Sequence, residues 1–473
     1  MLEKYIDNFK NKIIKSTQEL IRIPSVGSNS NDVNMPFGEN ASKALEYTLN
    51  LGKKLGFRTK NLDGYCGYIE FGEGEELIGI IGHLDVVPEG EDWTFPPFSA
   101  TISDNKIFGR GAIDDKGPVI SSLYAMKAVM ENCQIHKRVR LILGLNEEKN
   151  WNCIKHYKDV EELPTFGFSP DADFPCIYAE KSILNCFVNM PYINSDGSFI
   201  RIKEIDCNHN ALNVVPKFCS IILEIDDKKI SMDDFIANIS NLIYKNNFEI
   251  DIYKISNQEL KLTSHGVQAH GAHPDLGVNA ISRLIIVLDQ IFKKYDISNE
   301  LFDFFDKYIG TEYNGKSLGI NVEDESGKLT LNVGSLKLEN STIEVGMNIR
   351  IPINTSAQIV KDSFIKYCNL YQNLNFCDKN YTPSLYVSKD NILITTLCNV
   401  FNKMTNSNEE PVAIGGATFA RAFKNCVSFG ANFPGDKDMC HQTDEFIDID
   451  KLILSCKIYA KAIVELDSEN FKI

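Results

Sequence analysis

The strongest constraint on the fold is a nearly continuous apolar run at residues 139–145. Such a run is typical of a strand that is buried on both faces of a sheet. Around it, predicted helices at residues 5–23 and 119–131 alternate with predicted strands at residues 67–71 and 77–84. This alternation indicates a sheet of mostly parallel strands that is flanked by helices on both faces. The N-terminal third of the chain is therefore predicted to be α/β.

The middle of the chain has a different pattern. Strand-like runs such as residues 219–225 are mixed with helical stretches such as residues 279–295. This mixture is typical of an α+β domain. We therefore predict a discontinuous α/β domain that is interrupted by an α+β insertion. The predicted boundaries are 1–183 and 386–473 for the α/β domain and 184–385 for the insertion.

Composition argues against several classes of function. The 473 residues include 49 Lys and Arg against 64 Asp and Glu, which leaves a net charge of −15. An acidic chain of this kind argues against nucleic acid or an anionic membrane as the main partner, because both favour basic patches. No apolar run approaches the length of about 20 residues that spans a bilayer, and no signal peptide is seen. The 13 scattered cysteines contain no C-x-x-C pair and fit a reducing, cytoplasmic location.

Histidines and acids follow several of the predicted strands. They are His83 and Asp85, Asp114 and Asp115, Glu147 and Glu148, Asp171 and Asp173, and the remote His441. Each has an ordinary explanation alone; Asp114 and Asp115, for example, can cap the helix that follows. In open α/β sheets, however, ligands bind at the carboxyl ends of the strands. Two imidazoles and three carboxylates at that edge suit a pair of divalent ions about 3.5–4 Å apart.

The residue types also suggest how the work is divided. Mixed histidine and carboxylate ligation favours zinc, with manganese or cobalt as alternatives. A dinuclear hydrolase needs a base, and of two adjacent glutamates one can bind metal while the other remains available. Residues i and i+2 of an extended segment face the same side. We therefore expect Asp85 to accept the outer N–H of the His83 imidazole and so orient that ring.

Three motifs together carry a family resemblance. They are His83-Leu84-Asp85-Val86-Val87-Pro88, Gly109-Arg110-Gly111-Ala112-Ile113-Asp114-Asp115-Lys116-Gly117 and Asn146-Glu147-Glu148. The chain resembles the metallopeptidase family of carnosinases, acetylornithine deacetylase and succinyl-diaminopimelate desuccinylase, and is most similar to its bacterial dipeptidase V (PepV-like) group. The finer resemblance rests on the long insertion, on Ser169-Pro170-Asp171-Ala172-Asp173-Phe174-Pro175 and on Tyr386-Val387-Ser388-Lys389-Asp390.

The resemblance implies a catalytic domain with two metal ions and a lid. The implied ligands are a bridging Asp114, with His83 and Asp171 completing one site and Glu148 and His441 the other. Glu147 would be the general base and acid, and Asp85 would orient His83. The implied reaction is hydrolysis of a peptide bond by a metal-bound hydroxide.

In the insertion, which would form the lid, the resemblance implies three further roles. His270, in Ala269-His270-Gly271-Ala272-His273-Pro274, would polarise the carbonyl and, with a metal, stabilise the oxyanion. His265 and His273 are nearby alternatives. Arg350 would grip the substrate carboxylate bidentately, unless it is an ordinary surface arginine at a strand end. Asn213 matches a lid asparagine at the same site.

Two positions depart from the family pattern. The usual Gly-Gly ahead of the lid asparagine is replaced by Asn208-His209-Asn210-Ala211-Leu212. The usual Gly-Gly-Gly run is Gly415-Gly416-Ala417. Ala417 can still offer its backbone to a substrate, although it tolerates fewer dihedral angles than glycine.

The implied substrate is a dipeptide. Relatives that act on free N-termini tend to carry aspartate at the position of Asp171, and a carboxylate clamp at Arg350 would limit the substrate to a short peptide. A deacylase of N-acyl amino acids on the same dinuclear site is the alternative. A non-catalytic metal-binding or peptide-binding relative is disfavoured because every ligand and base position is filled. A lid of this length could supply its own His270, so we expect a monomer.

Overall fold

The computed structural model describes residues 2–28, 30–192, 199–207, 211–469 and 471. The α-helices of these residues are α1 (Leu2–Ile21), α2 (Glu39–Lys54), α3 (Lys116–Asn132), α4 (Asn152–Val160), α5 (Met232–Asn246), α6 (Ala280–Lys294), α7 (Glu300–Tyr308), α8 (Ala357–Cys368), α9 (Ile392–Thr405) and α10 (Ile449–Asp467). Short 3₁₀ helices lie at Pro274–Leu276 and Phe419–Ala422. None of the helices in the described ranges has the length and apolar character needed to cross a membrane.

The strands alternate with these helices in the first part of the chain and cluster in the middle. In chain order they are β1 (Arg58–Leu62), β2 (Cys66–Phe71), β3 (Leu77–His83), β4 (Thr101–Ser103), β5 (Lys106–Phe108), β6 (Arg138–Gly144), β7 (Phe166–Ser169), β8 (Ala172–Asp173), β9 (Ile177–Glu180), β10 (Ser182–Pro191), β11 (Ile200–Asp206), β12 (Val214–Val215), β13 (Phe218–Ile225), β14 (Ile250–Lys254), β15 (Glu259–His265), β16 (Ala269–His270), β17 (Glu323–Asp324), β18 (Gly327–Lys328), β19 (Thr330–Glu339), β20 (Thr342–Ile351), β21 (Asn375–Thr382), β22 (Leu385–Tyr386), β23 (Val412–Ile414), β24 (Cys426–Ser428), β25 (Ala431–Asn432) and β26 (Phe446–Asp448).

The chain divides into two compact units. Unit 1 comprises Met1–Ala179, Leu385–Val412 and Ala417–Ile473, and unit 2 comprises Glu180–Ser384 and Ala413–Gly416. Unit 1 is therefore discontinuous in sequence. The short segment 413–416 belongs to unit 2, although the chain on either side of it belongs to unit 1.

Unit 1 is built on a mixed sheet with the strand order β1-β2-β6-β3-β7-β24-β9-β22. The central strands β6, β3, β7 and β24 pair in parallel, whereas β1 with β2, β2 with β6, and β24 with β9 pair antiparallel. Every residue of β3 is buried, as is typical of a strand covered on both faces. The α/β prediction is confirmed, and its parallel pairing is concentrated at the centre of the sheet.

Helix α3 is buried along most of its length, from Lys116 to Val129. It packs against α10 and α1. A helix that is apolar on nearly all sides is typical of an element enclosed by others. Its first turn is therefore held in place, and that turn directly follows Asp114 and Asp115 in the sequence.

Unit 2 has the α+β architecture expected of the insertion. One four-stranded sheet has the order β19-β20-β10-β21 and another has the order β11-β13-β15-β14. Both are antiparallel throughout. Their inner faces and helices α5 to α8 enclose an apolar core that includes Phe235, Leu284 and Phe364.

Candidate metal centre

The central strands of unit 1 bring three candidate ligands to one edge of the sheet. In the parallel pairing, His83 at the end of β3 lies opposite Gly144 at the end of β6, and β7 pairs on the other side of β3. Glu148 follows β6, and Asp171 follows β7. The carboxyl ends of parallel strands form the usual ligand-binding edge of such a sheet.

Five side chains form two groups that share Asp114. His83 Nε2 lies 3.0 Å from Asp114 Oδ1 and 3.6 Å from Asp171 Oδ2. His441 Nε2 lies 3.0 Å from Asp114 Oδ2 and 3.1 Å from Glu148 Oε1. Within each group the ligand atoms all lie within 4.8 Å of one another. Asp114 therefore presents one oxygen to each group, which is the arrangement of a bridging carboxylate.

The chemistry and spacing of these atoms fit a pair of divalent ions. Each group offers one imidazole nitrogen and two carboxylate oxygens, a donor set that suits zinc. Two ligand atoms held at about 2.1 Å from one tetrahedral ion lie about 3.4 Å apart. The separations of 3.0–3.6 Å between the histidine and carboxylate atoms are of this size.

Asp85 uses different atoms from those expected. The His83 Nδ1 atom lies 2.9 Å from the backbone carbonyl oxygen of Asp85 and 3.6 Å from its carboxylate. The carboxylate instead accepts the backbone N–H groups of Glu147, at 3.0 Å, and Glu148, at 3.1 Å. The physical reason is that β3 ends at His83, so the alternation of an extended strand does not continue to Asp85. Asp85 therefore contacts both the His83 ring and the Glu147–Glu148 backbone.

Burial and neighbouring charges perturb the acids of the cluster. Burial raises the pKa of the Glu147 carboxyl well above its usual range, although His83 acts in the opposite direction. Burial would also raise the pKa of Asp114, but hydrogen bonds from His441 and His83 outweigh it and hold that pKa well below its usual range. Glu147 belongs to neither ligand group among the residues that the structure describes. Glu147 thus favours its protonated form, whereas the shared ligand Asp114 favours its charged form.

Asp115 does not cap helix α3 with its side chain. It occupies the N-cap position without a side-chain cap hydrogen bond. Its Oδ2 atom accepts the backbone N–H of His83 at 3.0 Å. The ordinary capping explanation for this acid is therefore not realised, and Asp115 anchors the end of β3.

The structure separates the two acids that follow β7. Asp171 belongs to the group of His83 and Asp114. Asp173 lies in β8, which pairs in parallel with β25 opposite Asn432. Within the described part of the chain, Asp171 is thus the acid of this pair that joins a ligand group.

Two residues beside the cluster received no role in the sequence analysis. Arg110 and Glu445 form a buried ion pair with an Nη1 to Oε2 distance of 2.7 Å. Arg110 stands in the motif at residues 109–117, and Glu445 follows the predicted ligand His441 by four residues. The sequence signal for this ion pair was a cationic residue in one predicted ligand loop and an acidic residue in another.

In unit 2, Asn213 and His270 lie on neighbouring segments. Strand β12 pairs with β16, with Val214 opposite His270. The Gly271 N–H donates to the Asn213 carbonyl at 2.7 Å. The structure therefore brings these two predicted lid residues together on a short ribbon.

This ribbon is held by an asparagine that the sequence analysis missed. Asn332 Nδ2 donates to the carbonyls of Leu212, at 2.7 Å, and Val214, at 2.8 Å. Asn332 is buried in β19. It therefore fixes the backbone on both sides of Asn213.

Arg350 is buried, which excludes the alternative of a surface arginine. Its Nε donates to Asn348 Oδ1 at 2.7 Å, and its Nη1 donates to the Gly415 carbonyl at 2.8 Å. Asn348 in turn donates to Asn185 Oδ1 at 2.6 Å. The plane of the guanidinium is therefore held from two sides.

The two alternative histidines of unit 2 have different surroundings. His265 is partly exposed, and its Nε2 lies 2.9 Å from the Asp251 carboxylate. His273 donates its backbone N–H to the His270 carbonyl at 2.9 Å, so it belongs to the same turn. His265 thus contacts an acid outside this turn, whereas His270 and His273 share the turn.

The departures from the family pattern lie in different places. Ala417 is half-buried and precedes Thr418, whose Oγ1 lies 2.7 Å from Ser428 Oγ. Of the segment at residues 208–212, Asn208, His209 and Asn210 lie outside the described residues, and Ala211 and Leu212 lead into Asn213.

Comparison with known proteins identifies related chains over the whole length. Residues 79–465 match the family model described as Peptidase family M20/M25/M40. The putative dipeptidase YtjP of Bacillus subtilis (strain 168) is 39% identical over 463 residues, which cover 97% of each chain. A putative dipeptidase of Staphylococcus epidermidis is 32% identical over 477 residues, which cover 99% of this chain and 100% of that protein.

Solved structures share the fold at low sequence identity. Human carnosine dipeptidase 1 has a TM-score of 0.59 with 12% identity and covers 98% of both chains. The dipeptidase Dug1p from Saccharomyces cerevisiae has a TM-score of 0.59 with 11% identity, over 99% of this chain and 98% of that one.

Proposed function

The chain is a metallopeptidase of peptidase family M20/M25/M40, and we propose that it is a dipeptidase that works with two divalent ions. The observation that carries this proposal is Asp114, which presents one oxygen to each of two histidine and carboxylate groups. The name of the Bacillus subtilis relative, a putative dipeptidase, supports the choice of substrate class.

The proposed ligands are those of the two groups. His83 and Asp171 would hold one ion, Glu148 and His441 the other, and Asp114 both. Zinc suits the mixed nitrogen and oxygen donors, with manganese or cobalt as alternatives. When bound, such a pair of ions supplies Lewis-acid polarisation of the carbonyl and a water nucleophile at neutral pH.

Glu147 is the proposed general base and acid. It takes a proton from the attacking water and returns it to the amine that leaves. Its raised pKa supports this role, because a carboxylate that holds a proton more readily can accept one from water and carry it to the leaving amine. The Asp85 carboxylate holds the Glu147 backbone N–H and so would keep this side chain in position.

The residues of unit 2 are proposed to recognise the substrate. His270 would donate to the oxyanion that develops on the scissile carbonyl, where a positioned donor has its largest effect. Asn213 would assist, as would the backbone at Ala417, which belongs to unit 1. Arg350 would bind the C-terminal carboxylate, and its fixed guanidinium supports this role because less entropy is then lost on binding.

A short peptide with a free N-terminus is the proposed substrate. Asp171, as an aspartate at its position, resembles relatives that act on free amino termini. A clamp for the carboxylate at the other end would limit the length to about two residues. We further propose that the protein acts as a monomer in the cytoplasm.

The test is a substrate panel on metal-free protein reconstituted with Zn²⁺ or Mn²⁺. The panel contains Ala-Ala, Ala-Ala-Ala, Ala-Ala amide and N-acetyl-ornithine. We expect Ala-Ala to be hydrolysed with the highest kcat/KM and only when metal is present. Preferential hydrolysis of N-acetyl-ornithine would instead indicate the deacylase, and inactivity with either metal on all four compounds would contradict an enzymatic function.

A further inference from the structure

We propose that Glu445, through Arg110, is a positioning residue for the metal centre: it joins the loop that carries Asp114 to the loop that carries His441. Both ion positions would then depend on one buried carboxylate that binds neither ion. This inference rests on the proposed function, since it takes Asp114 and His441 as ligands.

Glu445 is fully buried, and both of its carboxylate oxygens accept hydrogen bonds. Its Oε1 accepts the backbone N–H of Ile113 at 2.9 Å and that of Asp114 at 3.3 Å. Its Oε2 accepts the backbone N–H of Gly111 at 3.1 Å and Arg110 Nη1 at 2.7 Å. One carboxylate therefore organises the turn that ends in the shared ligand Asp114.

Arg110 contacts several backbone carbonyls in addition to the Glu445 carboxylate. Its Nη1 also donates to the Gln442 carbonyl at 3.2 Å. Its Nη2 lies within hydrogen-bonding distance of three carbonyls, those of Glu89 at 3.2 Å, Pro88 at 3.4 Å and His441 at 3.4 Å. The guanidinium thus connects the segment that follows β3, the Asp114 turn and the His441 loop.

The backbone of His441, a proposed ligand, has an unfavourable conformation. Its φ angle is 64°, in the left-handed region that is unfavourable for a residue with a Cβ atom. Such a conformation persists where its surroundings over-determine it. The contacts of Arg110 with the carbonyls of His441 and Gln442 supply such a constraint.

A carboxylate is required at this position for a chemical reason. The four partners of the Glu445 oxygens described above are all N–H donors. Glutamine has nearly the same shape but would turn an NH₂ group towards some of these donors. It would also leave the buried Arg110 without its counter-charge, which is strongly unfavourable. Glu445→Gln should therefore disturb both loops while it removes no ligand.

A matched control exists in the same unit. Glu70 is buried and binds Arg140 Nε and Nη2, each at 2.6 Å. This pair joins the paired strands β2 and β6, in which Glu70 lies opposite Arg140. Glu70→Gln breaks a buried ion pair of the same kind without touching a ligand loop.

The experiment compares metal-free wild type, Glu445→Gln and Glu70→Gln. Calorimetric titration with Zn²⁺ gives affinity and stoichiometry, Co²⁺ absorption reports the ligand geometry, and thermal unfolding reports stability. We expect Glu445→Gln to bind metal about 10- to 100-fold more weakly, with an altered Co²⁺ spectrum. Glu70→Gln should lower the Tm and leave both metal readouts at wild-type values. Wild-type affinity and spectrum in Glu445→Gln would overturn the inference, as would an equal loss of affinity in Glu70→Gln.

Arg110→Lys keeps the test valid if Glu445→Gln does not fold. Lysine retains the buried charge but lacks the planar fork that contacts several carbonyls at once. We expect weaker metal binding at the His441 position in this variant, and wild-type affinity would again overturn the inference. If the wild type itself binds no divalent ion, the proposed function fails. If the wild type binds two ions and all variants do so equally well, only the present inference fails.

Discussion

The two units place their candidate functional residues in contrasting surroundings. In unit 1 the acids and histidines are buried at the ends of central strands, and the backbone on either side of them is anchored by buried side chains such as Asp85, Asp115 and Glu445. In unit 2, Asn213 and His270 lie at a ribbon of two short strands, β12 and β16, and Arg350 lies near the end of β20.

Metal ligands and substrate-binding residues must meet different physical demands. Carboxylates gathered in one place repel one another, and burying them is unfavourable unless partners compensate their charge. A metal centre therefore needs many fixed hydrogen bonds in its own unit. An uncharged residue such as Asn213 has no charge to compensate, and hydrogen bonds from Asn332 hold the backbone on both sides of it.

Metal removal should have the largest effect on activity, and its effect on the structure should be confined to unit 1. We expect chelation to abolish hydrolysis and Zn²⁺ or Mn²⁺ to restore it. Bound metal should stabilise the native state by about 3 kcal/mol when free ion exceeds Kd about 100-fold. Hydrogen exchange should show the lost protection at residues 83–85, 110–115 and 439–445. An equal loss in β19 and β20 of unit 2 would break the contrast between the units.

Glu147→Ala should reduce kcat by about 10²- to 10⁴-fold, because it removes a general base and no ligand. Elemental analysis should still find two ions per chain. Glu148→Ala is the matched control, since it should lose metal as well as turnover. An unchanged kcat in Glu147→Ala would refute its role as the base.

Arg350→Ala should lower kcat/KM for Ala-Ala by about 10- to 100-fold, the value of a charge-assisted hydrogen bond. Ala-Ala amide should be affected much less, because it lacks the carboxylate. Arg201→Ala is the control, since Arg201 is an arginine of the same unit whose contact with Glu224 is long, at 3.9 Å. Equal losses on both substrates would contradict a clamp.

Asn332→Ala should have the smallest effect, a destabilisation of about 1–3 kcal/mol from two unsatisfied carbonyls, with a modest fall in kcat. Asn246→Ala, in helix α5, removes one hydrogen bond to Leu242 of the same helix and one to Gln290 of helix α6, and it serves as the control. We expect similar Tm losses but a fall in kcat only for Asn332→Ala. Identical kcat values would show that the ribbon needs no such anchor.

Much of the fold could be predicted because its signals are local. The nearly continuous apolar run at residues 139–145 indicated a strand buried on both faces, and β6 lies between β2 and β3. A helix was predicted at residues 119–131, and α3 is observed at Lys116–Asn132. The antiparallel edges of the main sheet were not predicted, since strand direction depends on partners that are distant in sequence. Strand β24, for example, lies between β7 and β9 although more than two hundred residues separate it from them.

The residue types at the strand ends can be read from the amino-acid sequence, and they indicate that imidazoles and carboxylates could meet at one edge of a sheet. This is possible because apolar periodicity and the residues that end a strand are local properties. Which atoms make contact depends on the folded chain. The carbonyl of Asp85 faces the His83 ring while its carboxylate holds the Glu147 and Glu148 backbone. Arg110 meets Glu445 across 335 positions of sequence. A hydrogen bond tolerates changes of only a few tenths of an ångström in distance and also requires the right direction. Loop atoms reach such positions only when the packed elements around them are in place.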